Sequence, residues 1–503
     1  MSNIAPLNIA IVGAGICGLG ASLALARKGH KVTIFERDVP PPPGGADEAF
    51  FDWDRKGAGQ FRHPHAFLGL MCNILRDNYP ELLTDFEAAG ARRVGFELML
   101  PPEMAANYVP EPGDEDLWVL MCRRAVMETV LRAYTERQGN ITIKSGQTVT
   151  GLIGEGTPVN VTGLQLGDEE VSFDIVVDCS GRTTKFPGWL RYRGAVIEVE
   201  DDDAEIVYFT RHYKVKPGQV EPAPGGKERG AGDLGYLKYG VFPGENGHFA
   251  IILCVPTPEV ALRKAVNDPV QFDAICHAIP GTRDWVDPDL AEPTTDSFGF
   301  GDIRAVWRHY VNGEDVEGWD SRVPVATNFF AIGDAAVRTN PLYGRGCSTG
   351  MLHAHILADI LEEEADPIQR ALILDQRTED QLRPIFKASL DEDRAGIKRS
   401  AALMNGEDLA RPHSLKAWFA MSFGDAMAGA ALSEIHVIRG FMRTFHLLEK
   451  PGDFLKDKRI RNTILRYMLR GRSRNASARI VNGPDRAGML AVIADEGIKR
   501  AAE

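Results

Sequence analysis

Three glycines and an acidic residue near the N-terminus have the types and spacing needed to bind a dinucleotide. Gly13, Gly15 and Gly18 form a Gly-x-Gly-x-x-Gly motif, and Glu36 follows Gly18 by 18 residues. In such a motif the first glycine makes a tight turn, the second lets the backbone approach a pyrophosphate, and the third allows a helix to pack close to a strand. A carboxylate at the position of Glu36 can accept hydrogen bonds from ribose hydroxyls. These residues therefore predict a dinucleotide site.

The residues around this motif read as a strand, a helix and a second strand. The apolar run from Ile9 to Val12 precedes the glycines, a helical run extends from Leu19 to Lys28, and a second apolar run extends from Val32 to Phe35. The helix would then direct its N-terminus, with its free N–H groups and positive dipole end, towards the phosphates. This context makes the dinucleotide interpretation much stronger than the glycines do alone.

The same region has the length of a short membrane helix. Ile9 to Ala26 is a stretch of 18 residues without a charge, but five of these residues are glycine or serine. No basic segment precedes it, as it would in a signal peptide. We therefore expect a buried strand and helix, and no transmembrane segment.

Two further segments have residues suited to cofactor chemistry. The apolar run Phe329–Ile332 ends at Gly333 and Asp334, and the sequence Asn-Pro-Leu-Tyr-Gly-Arg-Gly follows at 340–346, before a helical run. Arg124 begins another helical run, Arg-Ala-Val-Met-Glu. Each segment places polar or flexible residues at the end of a regular element, where a rigid scaffold can present them to a ligand.

Together these segments resemble the FAD-dependent class A flavoprotein monooxygenases. The resemblance covers roughly residues 8 to 365. Within that group the chain is most similar to the bacterial epoxidases and related oxygenases that act on lipophilic substrates. Three further segments suggest this branch: Gln60–His65, Asp178–Arg182 with the Trp189-Leu190 pair, and Tyr208–Tyr213.

The resemblance implies a set of FAD-binding residues. The N-terminal glycines and Glu36 would hold the ADP half, Arg124 would lie near the pyrophosphate, and Asp334 would accept hydrogen bonds from the ribitol chain. Residues 341–349 would run beside the isoalloxazine ring, and the helix after them would stabilise negative charge on the reduced flavin. The expected cofactor-binding residues are Gly13, Gly15, Gly18, Glu36, Arg37, Arg124, Gly333, Asp334, Pro341, Gly344, Gly346 and Cys347.

The reaction implied by the resemblance is oxygen insertion. A flavin C4a-hydroperoxide, formed from reduced FAD and O2, would transfer one oxygen atom to a lipophilic alkene or aromatic substrate. Arg62, His63 and His65 would lie near the ring, and Tyr343 would pack on the ring or line the pocket; we select Arg62, His65 and Tyr343 as candidate catalytic residues. Alternatively, the residues at 62–65 only tie down a loop. A redox role for Cys347 is not expected, since lone cysteines are more often packed than reactive.

The source of electrons is left open by the sequence. Class A aromatic hydroxylases carry an Asp-Gly motif that contacts both FAD and the nicotinamide cofactor, whereas this chain has Asp-Cys-Ser-Gly-Arg at 178–182. NADPH or NADH would reduce the flavin either directly or through a separate flavin reductase.

Two other flavin enzymes are alternatives on the same fold. Flavin-dependent halogenases carry a Trp-x-Trp motif and a lysine after the glycine motif, but this chain has no Trp-x-Trp and no lysine between Gly57 and Tyr134. Flavin-dependent reductases of prenyl double bonds carry Tyr-x-Trp-x-Phe-Pro, which Lys238–Pro243 matches only in part. Both are therefore less favoured than oxygenation.

Composition and pattern predict an α/β protein of two or three domains. We expect a Rossmann-like FAD-binding domain (three-layer ββα) at 1–189 and 296–365, with 68–104 as candidates for the substrate side, an inserted antiparallel-sheet substrate domain at 190–295, and a helical C-terminal region at 366–503. The net charge of −13 argues against nucleic acid as a partner. Seven cysteines without a Cys-x-x-Cys pair indicate a cytoplasmic protein without a disulfide framework or zinc site.

Three charged or glycine-rich segments have simpler interpretations. The acidic Glu198–Asp203 is predicted to be a solvated loop, and Gly230–Gly235 is predicted to be a loop although it also fits Gly-x-Gly-x-x-Gly. Lys456–Arg474 contains eight basic residues. It could contact an anionic membrane surface, but a helix with a solvated basic face is the favoured interpretation.

Overall fold

A five-stranded parallel sheet brings the predicted motifs together. Its strand order is Phe329–Ala331, Ile175–Asp178, Asn8–Val12, Lys31–Glu36 and Ile141–Ser145. The carboxyl ends of parallel strands lie at one edge of a sheet. The glycine motif, the Asp178 segment and the Gly333-Asp334 segment each follow one of these strands, so all three meet at that edge. The computed structural model describes residues 5–223, 230–313, 315–316, 319–479 and 483–502.

Helices and a second sheet complete the layers around the parallel sheet. Helix Ile16–Arg27 packs against helices Arg124–Glu136 and Gly346–Glu363. A four-stranded sheet contacts strand Ile175–Asp178 through its longest strand, Val159–Leu166; its other strands are Gly151–Glu155, Glu169–Ser172 and Ala326–Thr327. The Rossmann-like α/β fold expected from the sequence is therefore confirmed.

A second large sheet is antiparallel. Strand Ile206–Val215 pairs with His248–Pro256, Ala291–Pro293 and Phe298–Phe300. The sheet continues from His248–Pro256 through Lys238–Pro243 to Ala231–Asp233. The segment Gly230–Gly235, which was predicted to be a loop, thus contains the short strand Ala231–Asp233. It does not form a strand–turn–helix unit. Helices Val260–Val266, Pro269–Ala278, Pro280–Arg283 and the final helix Arg486–Ala502 accompany this sheet, and Met489 of that helix enters its core.

The C-terminal region is helical, as expected. Its other long helices are Pro367–Gln381, Arg383–Met404, Leu415–Ala431, Ile435–Phe445 and Lys458–Leu469. Helix Lys458–Leu469 buries Ile460 and Ile464 against helix Leu415–Ala431. Among the described helices, none combines the length and hydropathy that crossing a membrane would need.

Shorter elements connect these parts. The helices that lie between strand Lys31–Glu36 and strand Val119–Met121 are Gly45–Asp52, Gly69–Asn78, Pro80–Ala88, Phe96–Met99 and Pro102–Ala105. A small sheet pairs Val119–Met121 with Ala66–Phe67 and Arg92–Val94. Helix Phe186–Tyr192 follows the Asp178 segment.

The expectation for the acidic segment was wrong. Glu198–Asp203 is a strand that pairs antiparallel with Arg304–His309. Arg304 donates to Asp201 at 2.6 Å and His309 lies 2.9 Å from Glu200. The basic residues of the partner strand compensate the acidic ones, and this pairing depends on a segment about a hundred residues away, which local charge patterning does not reveal.

Candidate active site

The glycine turn has the geometry that each glycine was expected to provide. Gly13 has φ +105°, and a Cβ atom there would lie 2.5 Å from the carbonyl oxygen of Cys179. A Cβ atom at Gly18 would lie 1.9 Å from the carbonyl oxygen of Gly13, so the helix can pack this closely only with glycine. At Gly15 the nearest atom would be 3.9 Å away, on Arg55. The space at Gly15 is open to a ligand, and the N-cap has no side-chain hydrogen bond that would occupy the helix N–H groups.

Glu36 is held in place by the turn and by Arg55. Its carboxylate accepts hydrogen bonds from the Ala14 N–H at 2.7 Å and the Asp38 N–H at 3.0 Å. The Arg55 guanidinium lies 3.1 Å from Glu36 and donates to Asp38 at 2.7 Å and to Glu128 at 2.9 Å. All four charged side chains are buried. One buried arginine thus contacts three buried carboxylates at the predicted ADP end of the site.

Arg124 and Glu128 extend this network towards the middle of the site. Arg124 donates to Glu128 at 2.5 Å and to the His65 Nε2 at 3.1 Å. Burial opposes the ionised form of Glu128, but Arg124 and Arg55 hold the pKa of Glu128 below its usual value. Similarly, although burial opposes the charge of Arg55, Glu128 and Glu36 raise its pKa. The guanidinium of Arg55 therefore stays charged at this end of the site.

The two histidines of the loop at 60–68 have different surroundings. The His65 ring donates from Nδ1 to the His63 carbonyl at 2.8 Å and accepts from Arg124 at Nε2, so both ring nitrogens are used within the protein. His63 shares a 2.8 Å hydrogen bond with Thr210 through Nδ1, and its ring packs on Phe298 and Phe300. His63 Nε2 has no hydrogen bond to any described residue, and the ring lines the main cavity. Burial lowers the pKa of His63 to about 4 and, with Arg124, that of His65 to about 3, so both are neutral near pH 7.

Arg62 points away from this cavity. Its side chain donates to the carbonyl oxygens of Phe50 and Phe51, both at 2.7 Å, and the residue is exposed. It ties the loop to helix Gly45–Asp52. Arg62 is therefore not among the groups proposed to take part in the reaction.

Asp334 lies opposite the first turn of a long helix. It follows strand Phe329–Ala331, and its Oδ1 would be 3.8 Å from a Cβ atom at Gly346, the first residue of helix Gly346–Glu363. Among the described residues its carboxylate has no hydrogen-bond partner, and burial raises the pKa of Asp334. Its carboxylate is free to accept hydrogen bonds from a polyol, and the helix end beside it has no side-chain cap.

The loop at 340–346 is fixed by a helix from the C-terminal region. The Tyr343 hydroxyl donates to Asp393 at 2.8 Å, and Asn340 donates to the same oxygen at 2.6 Å. The Tyr208 hydroxyl donates to Asn340. Arg345 donates to Ser389 at 2.6 Å, on the same helix Arg383–Met404. Tyr343 therefore lines the cavity with its hydroxyl already engaged by a buried carboxylate.

The segment 178–184 contains internal hydrogen bonds to the Asp178 carboxylate. The Asp178 carboxylate accepts from the Ser180 backbone at 2.9 Å, and from the hydroxyls of Ser180 and Thr184, each at 2.5 Å. The Arg182 guanidinium packs over the Phe300 ring, 4.9 Å from its centre. Arg182 is thus the residue of this segment that carries charge towards the cavity.

One cavity of about 560 Å³ connects these groups. This volume is in the range of ligand sites, roughly 300 to 1,000 Å³. The predicted residues that line it are Gly13, Gly15, Glu36, Arg37, His65, Arg124, Gly333, Asp334, Pro341, Tyr343, Gly344, Gly346 and Cys347. The wall also contains a group of apolar side chains, called here the apolar chamber: Leu68, Val241, Phe242, Ile252, Phe300 and Phe445.

These features fit FAD. The open space at Gly15 and the uncapped helix suit a pyrophosphate, the unpartnered Asp334 suits a ribitol chain, and the second uncapped helix end suits a flavin ring edge that gains negative charge. Bound FAD would contribute the redox chemistry of its ring. Across the described ranges, no three acidic, His or Cys side chains converge as metal ligands would.

Arg55 was not found by sequence reasoning. It lies in the charged sequence Asp-Trp-Asp-Arg-Lys at 52–56, which reads as an exposed loop. Lys185 and Trp189 also line the cavity. The one available signal for Arg55 was the need of the buried Glu36 for a positive partner, which does not say where in the chain that partner lies.

Residues 8–49 match the model of a family described as FAD dependent oxidoreductase. No curated protein sequence matches the chain.

Solved structures described as FAD- or flavin-dependent proteins share the fold of this chain. PqsL from Pseudomonas aeruginosa, a probable FAD-dependent monooxygenase, is 14% identical with a TM-score of 0.55, over 80% of this chain and 100% of PqsL. A flavoprotein/dehydrogenase from Cytophaga hutchinsonii is 13% identical with a TM-score of 0.58, over 92% of this chain and 99% of its own. CmlS, a flavin-dependent halogenase, is 16% identical with a TM-score of 0.53, over 94% of this chain and 76% of its own. This chain therefore shares the fold of these flavoproteins, and its N-terminal segment matches the FAD dependent oxidoreductase model.

Proposed function

We propose that this protein is an FAD-dependent monooxygenase that inserts one oxygen atom from O2 into a lipophilic alkene or aromatic compound. The observation that carries the proposal is that one cavity is lined both by the glycine turn and by the residues of the apolar chamber. That chamber is lined by aliphatic and aromatic side chains, including Val241, Phe242 and Ile252. Such a lining favours a lipophilic substrate, because apolar surface is stabilised when it leaves water.

The chain's own residues would bind the cofactor, orient the substrate and keep water away from the reacting atoms. Arg55, Arg124 and Asp334 hold the cofactor, and bound FAD supplies the reaction with O2. His63 presents Nε2 to the cavity as a neutral ring and can hold or accept a proton there. Tyr343, fixed by Asp393, closes the cavity wall beside the predicted ring position. The apolar chamber excludes water from the reacting atoms.

Isotopic labelling tests the reaction class. The FAD-loaded protein is reduced chemically and incubated with a panel of terpenoid alkenes and aromatic compounds under isotopically labelled O2, with an anaerobic sample in parallel. We expect a product with one labelled oxygen atom and no product without O2. A saturated product formed anaerobically would instead identify a prenyl-type reductase, and a halogenated product that depends on added halide would identify a halogenase.

A cavity-filling variant tests the position of the substrate. Val241→Phe places a larger side chain in the apolar chamber, on strand Lys238–Pro243 of the antiparallel sheet. We expect turnover to fall at least about tenfold while FAD content is unchanged, because the substrate and not the cofactor loses space. The matched control is Val220→Phe, since Val220 is 83% exposed. Equal turnover by both variants would show that the substrate binds elsewhere.

A further inference from the structure

Helix Leu415–Ala431 is apolar on every side but is only partly covered by the rest of the protein. Among its 17 residues the charged side chains are Lys416 and Asp425. A helix with so little polar surface is normally buried. The buried residues of this helix all lie in its C-terminal part: Ser422, Ala426, Gly429 and Ala430. Its N-terminal part therefore exposes apolar surface of the kind that marks an interaction site.

This exposed surface continues the face by which the helix packs on the protein. With about 3.6 residues per turn, Leu415, Trp418 and Phe419 lie on the same side of the helix as Ala426. Ala426 is fully buried in the cluster that includes Ile460 of helix Lys458–Leu469. Leu415, in contrast, is 78% exposed, and Trp418 and Phe419 are exposed as well. The packed face thus extends beyond the neighbouring helices, and the described residues leave it uncovered.

The neighbouring helix Lys458–Leu469 exposes two leucines within a basic face. Leu465 and Leu469 lie one turn apart, and Leu469 is 90% exposed. The same side of the helix carries three exposed basic residues, which form no ion pair with a described residue: Lys458, Arg461 and Arg466. Apolar side chains between unpaired basic ones are typical of a helix that lies in a membrane interface. A solvated basic face, the interpretation favoured from sequence, does not account for the exposed leucines.

Helix Ile435–Phe445 connects this surface with the main cavity. It packs against helices Leu415–Ala431 and Lys458–Leu469. Phe441 and Phe445 lie one turn apart on this helix, and both are exposed. Phe445 also belongs to the apolar chamber of the cavity. An opening of the chamber therefore lies beside these helices. We call their exposed apolar residues the C-terminal apolar surface: Leu415, Trp418, Phe419, Phe441, Phe445, Leu465 and Leu469.

The charge of this region favours a lipid bilayer over a second copy of the chain as its partner. A symmetric dimer would place the same patch of both subunits together. The basic residues of helix Lys458–Leu469 would then face each other and repel. An anionic lipid surface would instead attract them, although the whole chain has a net charge of −13. The apolar residues between them would enter the boundary between headgroups and acyl chains.

We propose that the C-terminal apolar surface docks on an anionic lipid bilayer, from which lipophilic substrate enters the apolar chamber past Phe445. The docking rests on the exposed residues of the three helices, whereas the entry of substrate rests on the proposed function. Trp418 and Phe419 insert between the lipids, and Arg461 and Arg466 contact the lipid phosphates. The protein is then held at the surface of the bilayer and does not span it.

Vesicle flotation tests the docking. The FAD-loaded protein is mixed at low and moderate salt with vesicles of phosphatidylcholine, or of phosphatidylcholine and phosphatidylglycerol in equal parts. We expect the protein to float with the anionic vesicles, and less so at the higher salt concentration. Trp418→Ser/Phe419→Ser should lower the affinity at least about tenfold, because two aromatic side chains no longer leave water. The matched control is Tyr192→Ser/Val220→Ser, which removes two exposed side chains outside the C-terminal helices.

A second pair of substitutions tests the contribution of charge. Arg461→Gln/Arg466→Gln should weaken binding to the anionic vesicles and make it less dependent on salt, since two phosphate contacts are lost. Weaker binding by this variant and by Trp418→Ser/Phe419→Ser, with normal binding by the control, supports the proposal.

Three results would overturn the docking. The first is no flotation of the wild type with either kind of vesicle at either salt concentration. The second is equal affinity of Trp418→Ser/Phe419→Ser and its control for the anionic vesicles. The third is a wild-type dimer in analytical ultracentrifugation that Trp418→Ser/Phe419→Ser converts to a monomer, because the surface would then be an interface between two copies of the chain.

The docking and the proposed function fail separately. If the protein binds anionic vesicles but the chemically reduced enzyme inserts no oxygen, the proposed function is wrong and the docking stands. If the reduced enzyme inserts oxygen but does not bind vesicles, only the docking is wrong. If both hold, Trp418→Ser/Phe419→Ser should slow the turnover of substrate supplied in vesicles but not that of dissolved substrate. Equal turnover of both by this variant and the wild type would exclude entry from the bilayer.

Discussion

At the scale of single residues, Arg55 is the side chain on which the cofactor end of the site depends most. It contacts Glu36, Asp38 and Glu128, and all four side chains are at most 5% exposed. Removing one member of a buried ion network leaves the others uncompensated, which costs more than the net stabilisation of the pair. The arrangement therefore makes cofactor affinity and stability depend on the same guanidinium.

Replacing this arginine tests that dependence. We expect Arg55→Met to lower the free energy of unfolding by about 3 to 5 kcal/mol, because three buried carboxylates lose a counter-charge. Urea denaturation measures this effect, and FAD content measured by absorbance should fall with it. Lys56→Met is the control, since the neighbouring Lys56 is 75% exposed, lies 2.9 Å from the exposed Asp54 and does not line the cavity; we expect a change within about 0.5 kcal/mol. Similar losses in both variants would contradict the network.

A substitution at Asp334 should weaken FAD binding without destabilising the fold. Without cofactor its carboxylate has no hydrogen-bond partner among the described residues, and burial raises its pKa. We expect Asp334→Asn to leave the cofactor-free protein equally or more stable, and to weaken FAD binding by about 10- to 100-fold, as loss of a charged hydrogen bond does. Flavin fluorescence titration measures the affinity. The control is Asp302→Asn, whose carboxylate is 62% exposed. Unchanged FAD affinity at Asp334→Asn would exclude the ribitol contact.

At the scale of elements, the glycine turn and the helix after it have separable tasks. A Cβ atom at Gly18 would strike the Gly13 carbonyl at 1.9 Å, whereas a Cβ atom at Gly15 would enter open space. Gly15 also has φ −78° and ψ −178°, a conformation that alanine adopts readily. One glycine therefore serves folding and the other serves the ligand.

Two alanine substitutions should show the difference. Gly18→Ala should destabilise the cofactor-free protein by about 3 kcal/mol, because the backbone must move. Gly15→Ala should change that stability by less than about 0.5 kcal/mol but weaken FAD binding at least about tenfold, since the methyl group occupies the path of the pyrophosphate. Urea denaturation and flavin titration of both variants test this. A stable Gly18→Ala protein, or a Gly15→Ala protein with normal FAD affinity, would contradict the assignment.

At the scale of the whole molecule, buried histidines determine the response to acid. Burial is the main cause that lowers six histidine pKa values to about 3 or 4: those of His63, His65, His212, His353, His355 and His446. In the unfolded chain the value is about 6.5. As the pH falls below about 6.5, the unfolded chain takes up protons that the folded chain does not. Stability is therefore present above this pH and decreases from there down to about pH 4.

Substituting one buried histidine tests this pH dependence of stability. His446 is fully buried and its Nδ1 accepts the Gly69 N–H at 3.0 Å. His446→Asn keeps an acceptor there but cannot titrate. We expect the decrease of unfolding free energy between about pH 6 and 4.5 to become shallower by about 1.4 kcal/mol per pH unit. Urea denaturation at several pH values measures the slope, with the exposed His413→Asn as control. Equal slopes in both variants would contradict this origin of acid sensitivity.

Local requirements of the backbone made much of the fold predictable from sequence. The tight turn at Gly13, the close packing at Gly18 and the apolar strands before them depend on neighbours in the chain. The segments at 329–346 and at Arg124 were predictable for the same reason. Parallel strands then had to bring their carboxyl ends together, and the motifs met at one edge of the sheet.

The tertiary structure alone decided which charges pair. Arg55 meets Glu128 across 73 residues, and Tyr343 meets Asp393 across 50 residues. The acidic Glu198–Asp203 became a strand because a distant basic strand pairs with it. Arg62, chosen from its sequence neighbourhood, instead ties a loop to a helix. The sequence by itself determined the dinucleotide turn, because its geometry is local. The partners of the buried charges and the apolar chamber depend on which distant segments the folded chain brings into contact.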